Sequence, residues 1–239
     1  MASKARLFYQ GKLKTGIISE LSEKQTHYIK NVMRLKPGDK FSLFNSNDGE
    51  WDAHVNVHGK IHTEFKVENL SRPIKNEQNI WLAFSPIKKS PQDTMFQKTT
   101  ELGIQKFIPL LCERSIVREI NKKRIEKIIT EACEQSNRIS IPKILNVQNL
   151  FDFIKKFPEE GCIVFCDINS NSTNLKNKIL KKNPVCILIG PEGDFSEKER
   201  KLILESKKTI SISLAKNILR AETAAIAATT ILSYNLANN

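Results

Sequence analysis

Five compact apolar runs, Ile80 to Phe84, Phe107 to Leu111, Cys162 to Cys166, Val185 to Ile189 and Ile210 to Leu214, punctuate the chain beyond its first third. Runs this short and this continuously apolar suit strands buried on both faces, the situation of parallel strands covered by helices. Helix-patterned segments lie between them, and the alternation predicts an α/β domain with a mainly parallel sheet. Ser90-Pro91-Gln92-Asp93 offers a cap, a first-turn proline and a carboxylate, and Ser196-Glu197-Lys198-Glu199 reads as a capping box. From Asn121 to Ser136, the residues Ile125, Ile128, Ile129, Ala132 and Cys133 fall on one helical face, with Lys122, Lys123, Arg124 and Lys127 opposite.

The region in front has a different period. From Ala5 to Leu70 the apolar residues come in short groups separated by turn signals at Lys36-Pro37-Gly38-Asp39, Asn45-Ser46-Asn47-Asp48-Gly49 and His58-Gly59. Trp51, Ala53, Val55 and Val57 alternate with polar neighbours as a half-buried strand does. This region reads as a small all-β barrel interrupted by one helix near Glu23 to Leu35. A polar segment from Arg72 to Asn79, containing Pro73, divides the chain into an expected barrel over residues 1–72 and an α/β domain over residues 73–239.

The 239 residues carry 38 Lys and Arg against 26 Asp and Glu, a net charge of +12 that is shared between the two regions. Such an excess favours a polyanionic partner, nucleic acid first and an anionic membrane surface second. No stretch has the apolar length of a membrane span or a signal peptide, so a cytoplasmic protein is expected. The five cysteines have neither metal-ligand nor redox-pair spacing, and three lie in Val/Ile/Leu-rich runs, so buried thiols are expected. His54, His58 and His62 fall on strand-like positions of the β region, which also holds His27, and no metal is expected.

Two segments carry the chemistry. In the first, the run Val185 to Ile189 ends in Gly190-Pro191-Glu192-Gly193-Asp194-Phe195, and the capped helix follows at once. Ligands of open α/β sheets bind beyond the carboxyl ends of the strands, where a glycine-containing loop lets backbone approach closely. In the second, Ile212-Ser213-Leu214-Ala215-Lys216-Asn217-Ile218-Leu219 leads from a strand into Arg220-Ala221-Glu222-Thr223-Ala224-Ala225, the polar opening of a helix built of small residues. Neither a phosphate-loop lysine motif nor a GxGxxG fingerprint is present, which argues against phosphoryl transfer.

Gly190-Pro191-Glu192-Gly193 followed by Ile218-Leu219-Arg220-Ala221-Glu222-Thr223-Ala224 resembles the ribosomal RNA small subunit methyltransferase E family of the SPOUT methyltransferases. Lys98-Thr99-Thr100-Glu101-Leu102-Gly103, Pro109 with Glu113-Arg114-Ser115, and Glu131-Ala132-Cys133-Glu134-Gln135-Ser136-Asn137-Arg138 are similar to further motifs of that family, in the same order. The resemblance implies a PUA-like RNA-binding barrel in front of a SPOUT-type α/β domain tied in a trefoil knot. It also implies a homodimer, S-adenosylmethionine as methyl donor, and methylation of N3 of a uridine in 16S ribosomal RNA within the small ribosomal subunit. Competing readings are a non-catalytic RNA-binding ribosome-assembly factor and a SPOUT enzyme acting on the ribose 2′-hydroxyl.

On this reading Leu188, Ile189, Gly190, Pro191, Glu192 and Gly193, with Ile212, Leu214, Ala215, Asn217, Ile218, Leu219 and Thr223, hold the donor. Arg138, Arg220 and Glu222 are the candidates for the reaction itself, the arginines stabilising charge on the uracil and Glu222 orienting a guanidinium. Arg6, Arg34, Lys88, Lys89, Arg114 and Arg138 are expected to meet RNA. Two positions depart from the family's usual glycines, Asp194 and Ala215, and of these Ala215 is expected to matter more for backbone conformation and clearance.

Overall fold

The computed structural model describes residues 5–170, 172, 175, 179 and 181–237. The chain forms two compact units, one of Met1–Asn76 with Cys133–Ile141 and the other of Glu77–Ala132 with Pro142–Asn239.

The first unit is a five-stranded mixed sheet. Its strands are β1 (Arg6–Phe8), β2 (Ile18–Glu20), β3 (Lys40–Asn45), β4 (Gly49–His58) and β5 (Thr63–Arg72), in the order β1-β3-β4-β5-β2. β1 runs parallel to β3, with Leu7 opposite Leu43, and the remaining pairs are antiparallel. Alternate residues Phe41, Leu43, Ala53, Val55, Phe65 and Val67 are almost wholly buried and form one core with Leu7, Leu21 and Ile29. The alternation expected along β4 stops at Val57, which is 52% exposed, because a register shift between Val55 and Val57 carries it off the core side. The expected helix begins as α1 (Glu23–His27), with Ser22 and Gln25 forming a capping box, and continues as a π-helical turn over Tyr28–Val32.

A long-range clasp fastens Cys133–Ile141 into this unit. The Arg6 guanidinium lies 3.7 Å from the centre of the Phe44 ring, its Nε donates to Glu50 at 2.8 Å, and its other nitrogens donate to the carbonyls of Cys133, Glu134 and Arg138. Arg72 donates to Glu50 and to the carbonyl of Asn137, and Glu134 accepts from the backbone N–H of Phe8 at 3.0 Å. Cationic groups at the end of a helix satisfy carbonyls that have no partner within it. A division drawn along the sequence has no means of finding this clasp, since Arg6 and Phe8 meet residues 133–138 across more than a hundred positions of chain.

The second unit is an all-parallel sheet in the order β12-β10-β11-β6-β7-β8, with β9 also on β7. The strands are β6 (Ile80–Phe84), β7 (Lys106–Leu111), β8 (Lys143–Ile144), β9 (Gln148–Asn149), β10 (Cys162–Cys166), β11 (Val185–Ile189) and β12 (Thr209–Ile212). The described helices are α2 (Lys89–Glu101), α3 (Lys122–Gln135), which runs from this unit into the first, α4 (Leu150–Lys156), α5 (Glu197–Glu205) and α6 (Ala221–Ala237).

Helices cover both faces of the sheet. On one, Ile163, Phe165, Cys186 and Leu188 pack with Phe153 and Phe157 of the α4 region and Ile203 of α5. On the other, α2 and α6 lie against each other, and Phe96 is wedged between Phe84 and Phe107 at 5.3 and 4.7 Å between ring centres. Small residues Ala225 and Ala228, fully buried on α6, permit its close approach to β6 and β11.

Two helix starts test the local signals. Before α5, Ser196 Oγ accepts from Glu199 N while Glu199 Oε2 accepts from Ser196 N at 2.9 Å, the expected capping box. Ser90 is not the cap of α2: the cap is Lys88, and Gln92 Oε1 instead accepts from the N–H of Ile87. Proline tolerates any place in the first turn because its missing N–H would have no helical partner there, so Pro91 does not fix the starting residue. At the other end of α2, Gly103 has φ +107°, a left-handed stop closed to side chains.

Candidate active site

A cleft of about 790 Å³ opens where four segments leave the carboxyl ends of the parallel strands. Lys88 reaches it from the β6–α2 connection and Pro91 from the first turn of α2, Cys166, Asp167 and Ile168 from the end of β10, and residues 189–192 with Asp194 from the end of β11. The fourth segment runs from Ser213 to the opening of α6 and contributes Leu214, Ala215, Asn217, Ile218, Leu219, Arg220 and Glu222. The position obeys the rule for open parallel sheets. The volume lies within the range of roughly 300–1,000 Å³ that small-molecule sites occupy.

The two bends singled out in the sequence therefore face one space. Of the residues expected to hold a donor, Ile189, Gly190, Pro191, Glu192, Leu214, Ala215, Asn217, Ile218 and Leu219 line it. Leu188 and Ile212 do not: their side chains are buried at 0% and 2% exposure, and Leu188 belongs to the core beneath. Gly193 and Thr223 also fall outside the lining. Cys166, Asp167 and Ile168 were missed by sequence reasoning; their only signal was the position just after a buried strand, the same criterion that exposed Gly190.

Each loop has a local cause. A Cβ on Gly190 would stand 2.8 Å from the ring of Phe195, which packs edge-on against Phe165 at 5.4 Å between ring centres. Glycine at this position thus answers a demand of the protein's own packing. Gly193 meets no such crowding, and its carbonyl accepts from Arg114 Nη1 at 3.0 Å; Phe195 O accepts from the same nitrogen at 3.4 Å. The neighbouring Glu113 N–H donates to Glu199, and Ser115 Oγ accepts from Cys112 N and shares a hydrogen bond with Ser85. The Glu113-Arg114-Ser115 motif is a clasp on the 190–195 loop, a use for Arg114 that its expected RNA contact did not anticipate.

The departures from glycine are also reordered. Asp194, not Ala215, occupies the left-handed region, at φ 60°, where aspartate is among the few tolerated side chains. Its Oδ1 accepts from the N–H of Phe195 at 2.8 Å. Ala215 is exposed and is not among the residues of positive φ, so its methyl group meets no conformational objection.

Charge in the cleft is mixed. Asp167, with a side chain 3% exposed, pairs with Arg200 at 2.7 Å and accepts from Asn169 N and Ser211 Oγ. The pairing raises the Arg200 pKa above its ordinary value. Burial pushes the Cys166 thiol up to about 12, leaving it protonated and unreactive near neutrality. Arg220 is exposed, Glu222 is half-buried, and both line the cleft where α6 begins.

Arg138 belongs to the first unit, is 8% exposed, and donates to Ser140 Oγ at 2.9 Å. Arg6 is removed from the surface set by its clasp: its side chain is 7% exposed and its pKa is lowered, chiefly by desolvation. Arg34, Lys88 and Lys89 are exposed. Among the described residues no group of three His, Cys, Asp or Glu side chains is placed to hold a metal ion, and no helix is long and apolar enough to cross a membrane.

A parallel α/β sheet of SPOUT type with a ligand-sized cleft at its carboxyl edge, accompanied by a PUA-like β unit, defines the class. Residues 75–233 match the RNA methyltransferase domain family, and residues 21–68 match the RNA methyltransferase PUA domain family. Similarity to named proteins runs the length of the chain. The ribosomal RNA small subunit methyltransferase E of Rickettsia conorii is 36% identical over 93% of this chain and 92% of its own, and that of Buchnera aphidicola subsp. Schizaphis graminum is 33% identical over 95% and 94%. The crystal structure of the Neisseria gonorrhoeae protein of the same name, bound to S-adenosyl methionine, superposes with a TM-score of 0.87 at 28% identity, covering 97% of each chain. The chain belongs to the ribosomal RNA small subunit methyltransferase E family.

Proposed function

We propose that this protein transfers the methyl group of S-adenosylmethionine to N3 of a uridine in 16S ribosomal RNA of the small ribosomal subunit, in the cytoplasm and as a homodimer. The observation that carries the proposal is the convergence of the 189–194 and 213–222 segments on one cleft in a chain of this family. The donor set fits: Ile189, Leu214, Ile218 and Leu219 offer apolar walls for an adenine, and backbone polar groups of the two loops are at hand to read its edge. The similar Neisseria protein holds the same donor.

S-adenosylmethionine supplies, when bound, a methyl group already activated on a sulfonium. What the chain must add is placement and charge management. N3 lies on the pairing edge of uracil, so the base has to be unpaired before it enters. As its proton leaves, negative charge spreads onto the flanking carbonyl oxygens, and Arg220 at the cleft is the guanidinium proposed to stabilise it. Glu222 stands in the first turn of α6 at the cleft, and its proposed role is to orient a guanidinium. Arg138 enters through the family motif that it ends, as a second guanidinium toward the RNA. Arg34, Lys88 and Lys89 are proposed phosphate contacts.

Incubation of purified protein and labelled donor with 16S RNA and with small subunits, followed by mass mapping of the modified nucleoside, tests the assignment. Methyl on uracil N3 supports it. Methyl on ribose oxygen reassigns the acceptor, and RNA binding without transfer leaves only the assembly-factor reading.

A further inference from the structure

We propose that Asp167 and Arg200 are positioning residues for the methyl donor: their ion pair fixes one wall of the cleft and, through that wall, the affinity for S-adenosylmethionine. The proposal rests on the donor-binding reading above.

Asp167 is the point at which three elements are tied together. Its N–H donates to Ile212 O at 2.9 Å, at the end of β12, and its Oδ1 accepts from Asn169 N at 2.9 Å, which turns the chain as it leaves β10. Its Oδ2 accepts from Arg200 Nη2 of α5 at 2.7 Å and from Ser211 Oγ of β12 at 3.4 Å. Asp167 lines the cleft together with its neighbours Cys166 and Ile168, and Ile168 is 57% exposed there. On the other side, α5 starts directly after the 190–195 loop, and the Arg200 guanidinium feels Asp194 of that loop as well as Asp167. Arg200 thus joins the wall at the end of β10 to the loop that carries Gly190 and Asp194.

The two partners are not equally sheltered: the Asp167 side chain is 3% exposed and that of Arg200 is 35% exposed. A buried carboxylate deprived of its cation stays charged where little water reaches it, whereas an arginine at the depth of Arg200 can turn to solvent. Removing Arg200 therefore drives Asp167 outward, and the backbone that moves with it is the wall made by Cys166 and Ile168. Removing the charge of Asp167 as well takes that drive away. Both carboxylate oxygens already accept hydrogen bonds within the protein, so Asp167 acts through the wall and not by contact with the donor.

Steady-state transfer to 16S RNA, with calorimetric titration of S-adenosylmethionine on the same full-length protein, tests this in wild type, Arg200→Gln, Arg200→Lys and the double variant Asp167→Asn with Arg200→Gln. Arg200→Gln is expected to raise both KM and Kd for the donor about tenfold, while kcat falls about twofold and the KM for RNA stays within about twofold. Arg200→Lys keeps the cation and should lose only about threefold in donor affinity. Adding Asp167→Asn to Arg200→Gln should bring the loss back to about threefold, because no unpaired buried carboxylate remains. Donor affinity in Arg200→Gln within about twofold of wild type, or a double variant no tighter than Arg200→Gln, would overturn the positioning role while leaving the donor site in place. A fall in kcat with an unchanged donor KM would overturn it too, since that is the mark of a smaller folded fraction. A wild-type protein that binds no donor would instead overturn the donor-binding reading and this proposal with it.

Discussion

Replacing Arg114 by alanine separates two uses of one arginine. The side chain is exposed, as an RNA contact would be, yet Nη1 spans the carbonyls of Gly193 and Phe195 at 3.0 and 3.4 Å. A hydrogen bond from a charged donor contributes about 1.5–3 kcal/mol when sheltered. Exposure and the longer second contact reduce this to about 1 kcal/mol. That energy holds the 190–195 loop in the form that lines the cleft, so its loss lowers the fraction of protein competent to bind and weakens donor affinity about fivefold. Calorimetry of S-adenosylmethionine binding, with RNA affinity measured on the same preparation, provides the assay. Arg114→Lys, which keeps the charge but lacks the fixed planar N–H geometry of the guanidinium, should fall between wild type and alanine for the donor. Donor affinity unchanged in Arg114→Ala, with RNA affinity reduced, would refute the clasp and restore Arg114 to the RNA surface.

Phe96→Ala removes a ring that is 0% exposed and wedged between Phe84 and Phe107, and should cost about 3–5 kcal/mol in chemical denaturation. Arg220→Ala should lower single-turnover transfer at saturating RNA by about 100- to 1,000-fold, the usual loss on removing a donor to a developing oxyanion. A near-normal rate would take Arg220 out of the chemistry. The Asp48 pKa is lowered, first by the hydrogen bond from Leu13 N and then by Asn45. A lowered folded-state pKa contributes stability that is complete above the ordinary value of 3.8 and fades as pH falls through the folded one. Asp48→Asn should therefore flatten the acid limb of the first unit's stability curve below about pH 4, followed by circular dichroism.

What could be read from the residues was what short-range physics encodes. Buried parallel strands announce themselves by continuous apolar runs, and Ile80–Phe84, Cys162–Cys166 and Val185–Ile189 fall where those runs predict. The Ser196 and Glu199 capping box is a three-residue spacing, visible without any tertiary knowledge. The boundary of α2 was misplaced at Ser90 because several first-turn arrangements accept Pro91 equally well. Val57 was misplaced because a bulge shifts the register after the sequence has already set an alternation.

The site divides along the same line. Glycine, proline and acid after an apolar run mark the 190 loop, and small residues after polar ones mark the start of α6, so both walls of the cleft could be named in advance. That these walls meet, and that Cys166 to Ile168 and Lys88 complete them, depends on the order in which the sheet sets its strands, with β10 between β11 and β12. Strand order is a property of long-range pairing that no local period contains.

The sequence by itself determined the kinds of element, the family motifs and the charge. The tertiary structure decided where the long cationic side chains spend their hydrogen bonds. Arg6 turned inward to Glu50 and helix-end carbonyls, Arg114 turned to the 193–195 backbone, and Asp194 took the left-handed place that seemed to belong to Ala215. The reason is geometric: apolar burial follows a period along the chain, whereas a guanidinium bonds to whichever carbonyl the fold brings within reach.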